Sequence, residues 1–461
     1  MIILIILFLG LILRLINLNQ SYWLDEAAQV IESQRPFIKQ FDIAADFHPP
    51  LYHLLLHFWL KFGTSEVFVR LPSVFMGVAS IYIFYKISRV LKYKSAGLLG
   101  ALLLAVSSFS VYYSQEARPY MLFTLLSLCS IYYWLKKDWT KFIISNVFLL
   151  YSNYFASFLL LGQFLTTVLL RKKLIKNQLK SLFISYIFLI PWLPSFFNQL
   201  QLGLGSGFSG WTNIVSESTF RNIPSTFAKF MMGKVTFDNK LIYALILTPS
   251  LIAFILCSIF AGKSEKGRLF LSLFLSSFLP ALLISLFFPV LAPQRLIFLL
   301  PVFILIIIAS KEIISRNLFI LNYSIILITS FLGLFLYYKD PRFQREDWRQ
   351  SVNWLESNAS YNHLVLFAFP EPFAPFIWYN QGRLNATGVA KNFRVDNKAL
   401  KIISEDIKGK EYIYYYSYLA ALTDPDSKIQ QFLEKSGYLN IETKNFPGVG
   451  FVYKYEKREF Y

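Results

Sequence analysis

MIILIILFLGLILRLI (residues 1–16) runs within six residues into Tyr22-Trp23-Leu24-Asp25-Glu26-Ala27. An apolar run of this length reads as a membrane helix. Two adjacent carboxylates just beyond it are costly to desolvate unless they hold a proton, a metal or a partner charge. Two readings of Asp25 and Glu26 stand side by side. One is a general base with a helper carboxylate. The other is the acidic first turn of an interfacial helix, where Asp and Glu are favoured anyway.

The rest of the chain extends the first half of this pattern. Of 461 residues, 55% are hydrophobic and 16% charged, where a soluble domain carries about 25% charged residues. Runs long enough to span a bilayer, with some tilt or local thinning, are expected at about 1–16, 71–91, 96–113, 120–135, 141–153, 154–170, 180–197, 241–261, 268–288, 294–310 and 317–338. That makes eleven crossings of a polytopic α-helical membrane protein and excludes secreted and cytosolic classes. Cys129 and Cys257 both fall in apolar runs, so no disulfide framework is implied.

The formal charge of +18 invites a nucleic-acid reading, but its distribution does not support one. Residues 345–461 hold 15 basic and 14 acidic side chains, so the excess lies in the membrane part. Alternate connections there hold 17 basic residues against Asp138, Glu265 and Glu312. The positive-inside rule then places these connections and the amino terminus in the cytoplasm of a plasma (inner) membrane protein, with 1–16 an uncleaved signal anchor. Arg14, at the outer end of the first run, opposes that bias. An odd number of crossings puts the tail outside.

The resulting domains are a membrane part, 1–338, with a first extracytoplasmic loop at about 17–70 and a second at about 198–240, and an extracytoplasmic domain, 339–461. In the tail, HLVLFAF (363–369) and EYIYYYSYL (411–419) read as strands between helical stretches at 346–357 and 427–436, an α/β pattern.

Three further motifs lie near the outer surface. His48-Pro49-Pro50-Leu51-Tyr52-His53-Leu54-Leu55-Leu56-His57 sets a rigid turn before a helix, with His48 in the turn and able to reach a site. His53 and His57 stand four apart on one helix face; without the glutamate of HExxH they read as amphipathic interface histidines rather than a metal pair. Tyr112-Tyr113-Ser114-Gln115-Glu116-Ala117-Arg118-Pro119-Tyr120 places an acid and a cation among tyrosines at bilayer depth, either as a functional site or as a local ion pair. Arg295 follows Pro293 and has the planar fork suited to a phosphate, although snorkelling to lipid phosphates serves an arginine there equally.

In this order and spacing, WLDEA, HPPLYH, Arg70-Leu71-Pro72-Ser73, SQEARPY and the Arg295–Pro301 stretch resemble the GT-C glycosyltransferases, especially the protein O-mannosyltransferases and the aminoarabinose transferases acting on lipid A. The resemblance covers roughly residues 1–310 and is most specific in the first 130. It implies an inverting transfer from a sugar on polyprenyl phosphate to an extracytoplasmic lipid, glycan or protein. Asp25 would be the base, with Glu26 beside it. Glu116 would bind metal or orient the acceptor. Arg118, Tyr120 and Arg295 would meet the donor phosphate. His48 matches a position near which some relatives hold a divalent metal, so Mg, Mn or Zn at His48 and Glu116 is an expectation. No nucleotide and no nucleic acid enter. The chain lacks the large mid-chain luminal domain of the O-mannosyltransferases, which argues against a protein acceptor.

Gly205-Ser206-Gly207-Phe208-Ser209-Gly210 fits GxGxxG without the flanking strand and helix that a dinucleotide site needs, and reads as a loop. The rival function is a transporter or flippase of a lipid-linked substrate. Transporters show inverted repeats and midplane ionisable groups, whereas here the carboxylates cluster in outer loops.

Overall fold

The architecture comes from a computed structural model that describes residues 1–43, 46–204, 219–288, 291–391 and 393–458. The glycine-rich 205–210 stretch lies outside the described residues. Two units divide the rest: residues 1–18, 35–204 and 219–343 form the first, and residues 19–34 with 344–458 form the second.

The first unit is helical: α1 (Ile2–Leu15), then, beyond α2 (Leu24–Gln34) of the second unit, α3 (Leu51–Trp59), α4 (Glu66–Val90), α5 (Lys94–Val106), α6 (Ser108–Ser114), α7 (Tyr120–Lys136), α8 (Trp139–Leu150), α9 (Ala156–Leu170), α10 (Ile175–Ile187), α11 (Leu193–Leu204), α12 (Thr219–Met232), α13 (Lys240–Ala261), α14 (Glu265–Ser285), α15 (Leu299–Ser310) and α16 (Arg316–Lys339). Polar side chains set several starts. Asp138 accepts from Lys141 N at 3.2 Å, Ser264 from Gly267 N at 3.0 Å, and Asn239 from Leu241 N and Ile242 N, each satisfying N–H groups that a helix end leaves open.

Among the described residues, five helices are long and apolar enough to cross a membrane: Glu66–Val90, Lys172–Leu202 (a 31-residue stretch with a 3₁₀ turn at Pro191), Lys240–Ala261, Glu265–Ser285 and Arg316–Lys339. The Ser95–Val106 and Ser108–Ser114 pair, bent by 55°, makes a sixth if taken as one span. The expected eleven crossings are therefore not all found. Ile2–Leu15, Trp139–Leu150, Ala156–Leu170 and Leu299–Ser310 have only 12 to 15 helical residues, short of the roughly 20 that cross a bilayer upright. Local chemistry interrupts them, as where Asn153 Oδ1 accepts from Phe155 N at 2.9 Å between α8 and α9.

The apolar surface of this unit identifies its solvent. On α13, Leu241, Leu245, Ile252 and Ile259 are each more than half exposed and follow one helical stripe. Water would penalise such a surface and hydrocarbon does not, so the chain is an integral membrane protein. At the opposite extreme, all twelve residues of α15 are buried, as befits a helix hydrophobic on every side.

Arg14, which opposed the charge bias, faces inward. Its guanidinium donates to Ser114 Oγ (2.9 Å), Ser110 Oγ (2.9 Å), Gly10 O (2.9 Å) and Ala105 O (3.1 Å). It is a structural cation with satisfied donors, so it does not report sidedness. Gly77 of α4 makes room for it, since a Cβ there would lie 2.7 Å from Arg14 Nε and 2.3 Å from Ser114 Oγ. Arg70, also buried, donates to Leu18 O at 2.8 Å, just past the end of α1.

In the second unit, α2 is followed by α17 (Trp348–Asn358), β1 (Leu364–Phe367), α18 (Ala374–Asn380), β2 (Ala386–Gly388), α19 (Asn397–Asp406), β3 (Tyr412–Tyr416), α20 (Ala420–Thr423), α21 (Lys428–Lys435), β4 (Tyr438–Phe446) and β5 (Gly450–Lys457). The sheet order is β2-β1-β3-β5-β4, with β1 parallel to β2 and β3, and β5 antiparallel to β3 and β4. Both expected strands and both expected helical stretches are present. β1 is buried throughout, as parallel strands covered on two faces are. The β4–β5 hairpin is the addition: β4 is mostly exposed at the sheet edge and carries Glu442 and Lys444, so it lacks the apolar run that announces a strand.

Candidate functional site

In the first unit the site is built on the loop that leads into α3. Its centre is Asp46, which the sequence reading passed over. Asp46 Oδ1 lies 2.7 Å from His48 Nδ1, and Oδ2 lies 2.7 Å from His53 Nε2. Arg118 Nη2 stands 3.5 Å from Oδ1. His48 reaches inward because His48 N donates to Asp46 O (2.7 Å), closing a tight turn ahead of Pro49-Pro50. His53 arrives one turn into α3 and is 1% exposed, which corrects its reading as an interface histidine. His57 keeps that character, packing against the rings of Phe37 and Phe58.

Gln199 of α11 pins the same loop. Its amide donates to Ile43 O (2.9 Å), Asp46 O (2.7 Å) and His48 O (3.2 Å), and its own oxygen accepts from Tyr154. Gln199→Leu removes donors from three carbonyls in a loop with no ladder of its own. The expected result is a local loss of about 1–3 kcal/mol, seen as faster hydrogen exchange at residues 46–48 while the helices keep wild-type protection.

The second wall comes from the turn between α6 and α7. Gln115 ties it down, donating to Arg14 O (3.0 Å) and Ile16 O (2.5 Å) and accepting from Tyr337 at 2.7 Å. Glu116 and Arg118 are both buried behind this anchor, and Tyr120 opens α7 with its ring 4.6 Å from that of Tyr113. Arg295, in a 3₁₀ turn at Pro293–Leu296, feels the field of Tyr120, and its own charge reaches His48. The structure thus gathers His48, His53 and Arg118 on Asp46, with Arg295 within the electrostatic reach of His48 and of Tyr120 and a buried Glu116 on the same turn as Arg118.

Electrostatics decides the protonation states. Burial raises Asp46, but Arg118 and the two imidazoles outweigh it and hold the carboxyl well below the usual range. Burial lowers His48, with Arg118 and Arg295 pushing the same way against the pull of Asp46. An ionised carboxylate only accepts, so neutral His48 donates from Nδ1 and keeps its Nε2 lone pair, while His53 donates from Nε2.

Asp25 and Glu26 belong to the second unit, in the first turn of α2; Glu26 is fully buried and Asp25 half-buried. Tyr22, just before them, is buried between Trp378 (ring centroids 5.6 Å apart) and Tyr379 (6.4 Å), and its N–H donates to Tyr379 Oη at 2.8 Å.

Comparison with known proteins now adds to this geometry. The profile of a family described as dolichyl-phosphate-mannose-protein mannosyltransferase matches residues 47–197, a segment that holds the HPP turn, α3 and the whole Glu116–Tyr120 turn. Across 98% of the chain, the fold superposes on the oligosaccharyltransferase of Archaeoglobus fulgidus in its complex with zinc and sulfate (TM-score 0.54, 10% identity, 73% of that chain). It also superposes over 98% on ArnT from Cupriavidus metallidurans, in the apo state (0.51, 11%, 97% of that chain) and bound to undecaprenyl phosphate (0.50, 11%, 97%). The chain has the fold of these membrane enzymes, and its segment 47–197 is similar to the mannosyltransferase family. No curated protein sequence matches the chain. At these identities the solved structures establish its fold, and its chemistry has to be argued from its own residues.

Proposed function

We propose that the protein is a glycosyltransferase that moves a sugar from a polyprenyl-phosphate donor to an acceptor on the extracytoplasmic side of the membrane, with inversion at the anomeric carbon. The observation that carries this reading is the group at Asp46, on which two imidazoles and Arg118, all three from the segment matched by the mannosyltransferase profile, converge. Such a cluster is expensive in a membrane protein unless chemistry requires it.

In this mechanism Asp25 takes the proton of the acceptor hydroxyl as the acceptor oxygen attacks, and Glu26 stands beside it as helper. The sugar–phosphate bond breaks as positive charge develops on the sugar, so the leaving group needs charge neutralisation more than a proton. Arg118 and Arg295 meet the phosphate with charge-assisted hydrogen bonds, and Tyr120 donates from the same wall. Asp46 keeps Arg118 and His48 in place. Glu116 orients the acceptor.

A divalent metal would be held by Asp46 and His53, whose ligand atoms lie within 4.8 Å of each other, with His48 and Glu116 as further donors in the same unit; imidazole and carboxylate suit zinc, and the archaeal neighbour was solved with zinc. Such an ion would supply positive charge toward the phosphate. In the same proposal the amino terminus is cytoplasmic, the enzyme sits in the inner membrane, and residues 339–461 face outward. The acceptor in this proposal is a lipid, a glycan or a protein.

Reconstitution in liposomes with radiolabelled sugars on polyprenyl phosphate and a membrane extract as acceptor tests this. Label leaving one donor for an extract component is expected. Labelled donor crossing the bilayer intact, with none consumed, would instead identify a flippase.

A further inference from the structure

The catalytic reading leaves unexplained why a stretch of the first loop folds with the carboxyl-terminal unit. Residues 19–24 are fastened to residues 345–349 at several points. Arg345 N donates to Gln20 Oε1 at 2.6 Å, Trp348 N to Ser21 Oγ at 3.1 Å, and Arg349 Nη2 to Asn19 O at 2.9 Å. Ser21 Oγ in turn donates to the backbone oxygen of Glu346.

The Glu346 side chain completes the attachment. Its carboxylate accepts from Trp348 Nε1 (2.7 Å) and Tyr418 Oη (2.9 Å), and it accepts the backbone N–H of Leu24, the first residue of α2. It thereby satisfies one of the N–H groups that the helix start leaves open, from more than 300 residues away. Leu24 packs on the cluster that includes Trp348, Phe373 and Tyr418. The next residue is Asp25.

Glu346 is itself seated by the β4–β5 turn. Asp347 N donates to Pro447 O at 2.8 Å, and Gly448 approaches so closely that a Cβ there would lie 2.9 Å from Glu346 Cα. Gly448 has φ of +75°, which a side chain would strain in any case. Burial raises the Glu346 carboxyl, with the charge of Asp25 adding to it, and the same charge raises Tyr418 after burial and Glu346. Two acids are thus held within each other's field, an arrangement that fastening a loop does not require.

We infer that Glu346 is a positioning residue for Asp25: the carboxyl-terminal unit, through Glu346, Trp348 and Tyr418, fixes the first turn of α2 and so aims the carboxylate that takes the acceptor proton. The inference rests on Asp25 being the base. It gives the β4–β5 turn a role in catalysis through its contacts with Glu346 and Asp347.

The test is a double-mutant cycle in the liposome assay. Glu346→Gln keeps the size and loses the charge and one acceptor; Tyr418→Phe keeps the ring packing and loses one donor. Each is expected to lower kcat by about 10- to 100-fold, the cost of misplacing a reacting group, with donor binding unchanged. In the Asp25→Asn background, Glu346→Gln is expected to cause no further fall, because it acts only through Asp25.

An equal fall in both backgrounds, or full kcat in both single variants, would overturn the positioning role while leaving Asp25 as base. Wild-type turnover in Asp25→Asn alone would overturn the base, and the positioning role with it. If Glu346→Gln fails to fold, Tyr418→Phe carries the cycle.

Discussion

Asp25→Asn in the reconstituted enzyme is expected to transfer sugar about 10²- to 10⁴-fold more slowly than wild type, the span a positioned general base contributes, while binding donor equally well. The substitution is nearly isosteric. It removes one acid from the first turn of α2, a loss of about 0.3–1 kcal/mol of interaction with the helix dipole, which is too little to unfold a unit with its own five-stranded sheet. The effect should therefore appear in kcat and leave the thermal midpoint close to wild type. Because the phosphate contacts are assigned to Arg118, Tyr120 and Arg295, donor affinity has no reason to move. A variant that turned over at the wild-type rate would exclude Asp25 as the base.

The second large effect concerns Asp46. Asp46→Asn removes the carboxylate that faces Arg118 and offers only one acceptor where two imidazole N–H groups now donate. Breaking a buried charge pair from one side costs about 3–5 kcal/mol. The expected result in detergent is a thermal midpoint lowered by many degrees, with turnover lost. Adding Arg118→Gln removes the charge that Asp46 faced, and the double variant is expected to remain inactive. A single variant as stable as wild type would mean that Asp46 does not hold the cluster together.

Sequence and structure part where proximity replaces pattern. Long apolar runs ending in basic residues are visible because each carries its own periodicity and composition. The motifs around Asp25, His48 and Glu116 are visible because paired charges stand out against such runs. Asp46 has no such setting: it is one acid in a loop with no period, two residues before the turn that drew attention, and only folding brings His53 and Arg118 to it. His53 looked interfacial because a helical wheel cannot show that one face meets a carboxylate. Gln199 is invisible for the same reason, lying more than 150 residues from the carbonyls it binds. The hairpin after Tyr438 was missed because an exposed edge strand of charged and polar residues resembles a loop. Glu346 sat inside a stretch read simply as helical, and its contact with Leu24 has no local signature.

Arg14 has a consequence for how the protein is made. Its distant partners, Ala105, Ser110 and Ser114, are 91 to 100 residues further along the chain. Synthesis at about 5–20 residues per second separates them by roughly 5–20 s. Throughout that interval the first helix is in the translocation machinery or the lipid with only Gly10 O as a local acceptor, and water, a headgroup phosphate or the translocon must solvate the guanidinium. The step that releases it is the arrival of α5 and α6, so assembly of this bundle has a built-in order: the opening helix waits for the sixth.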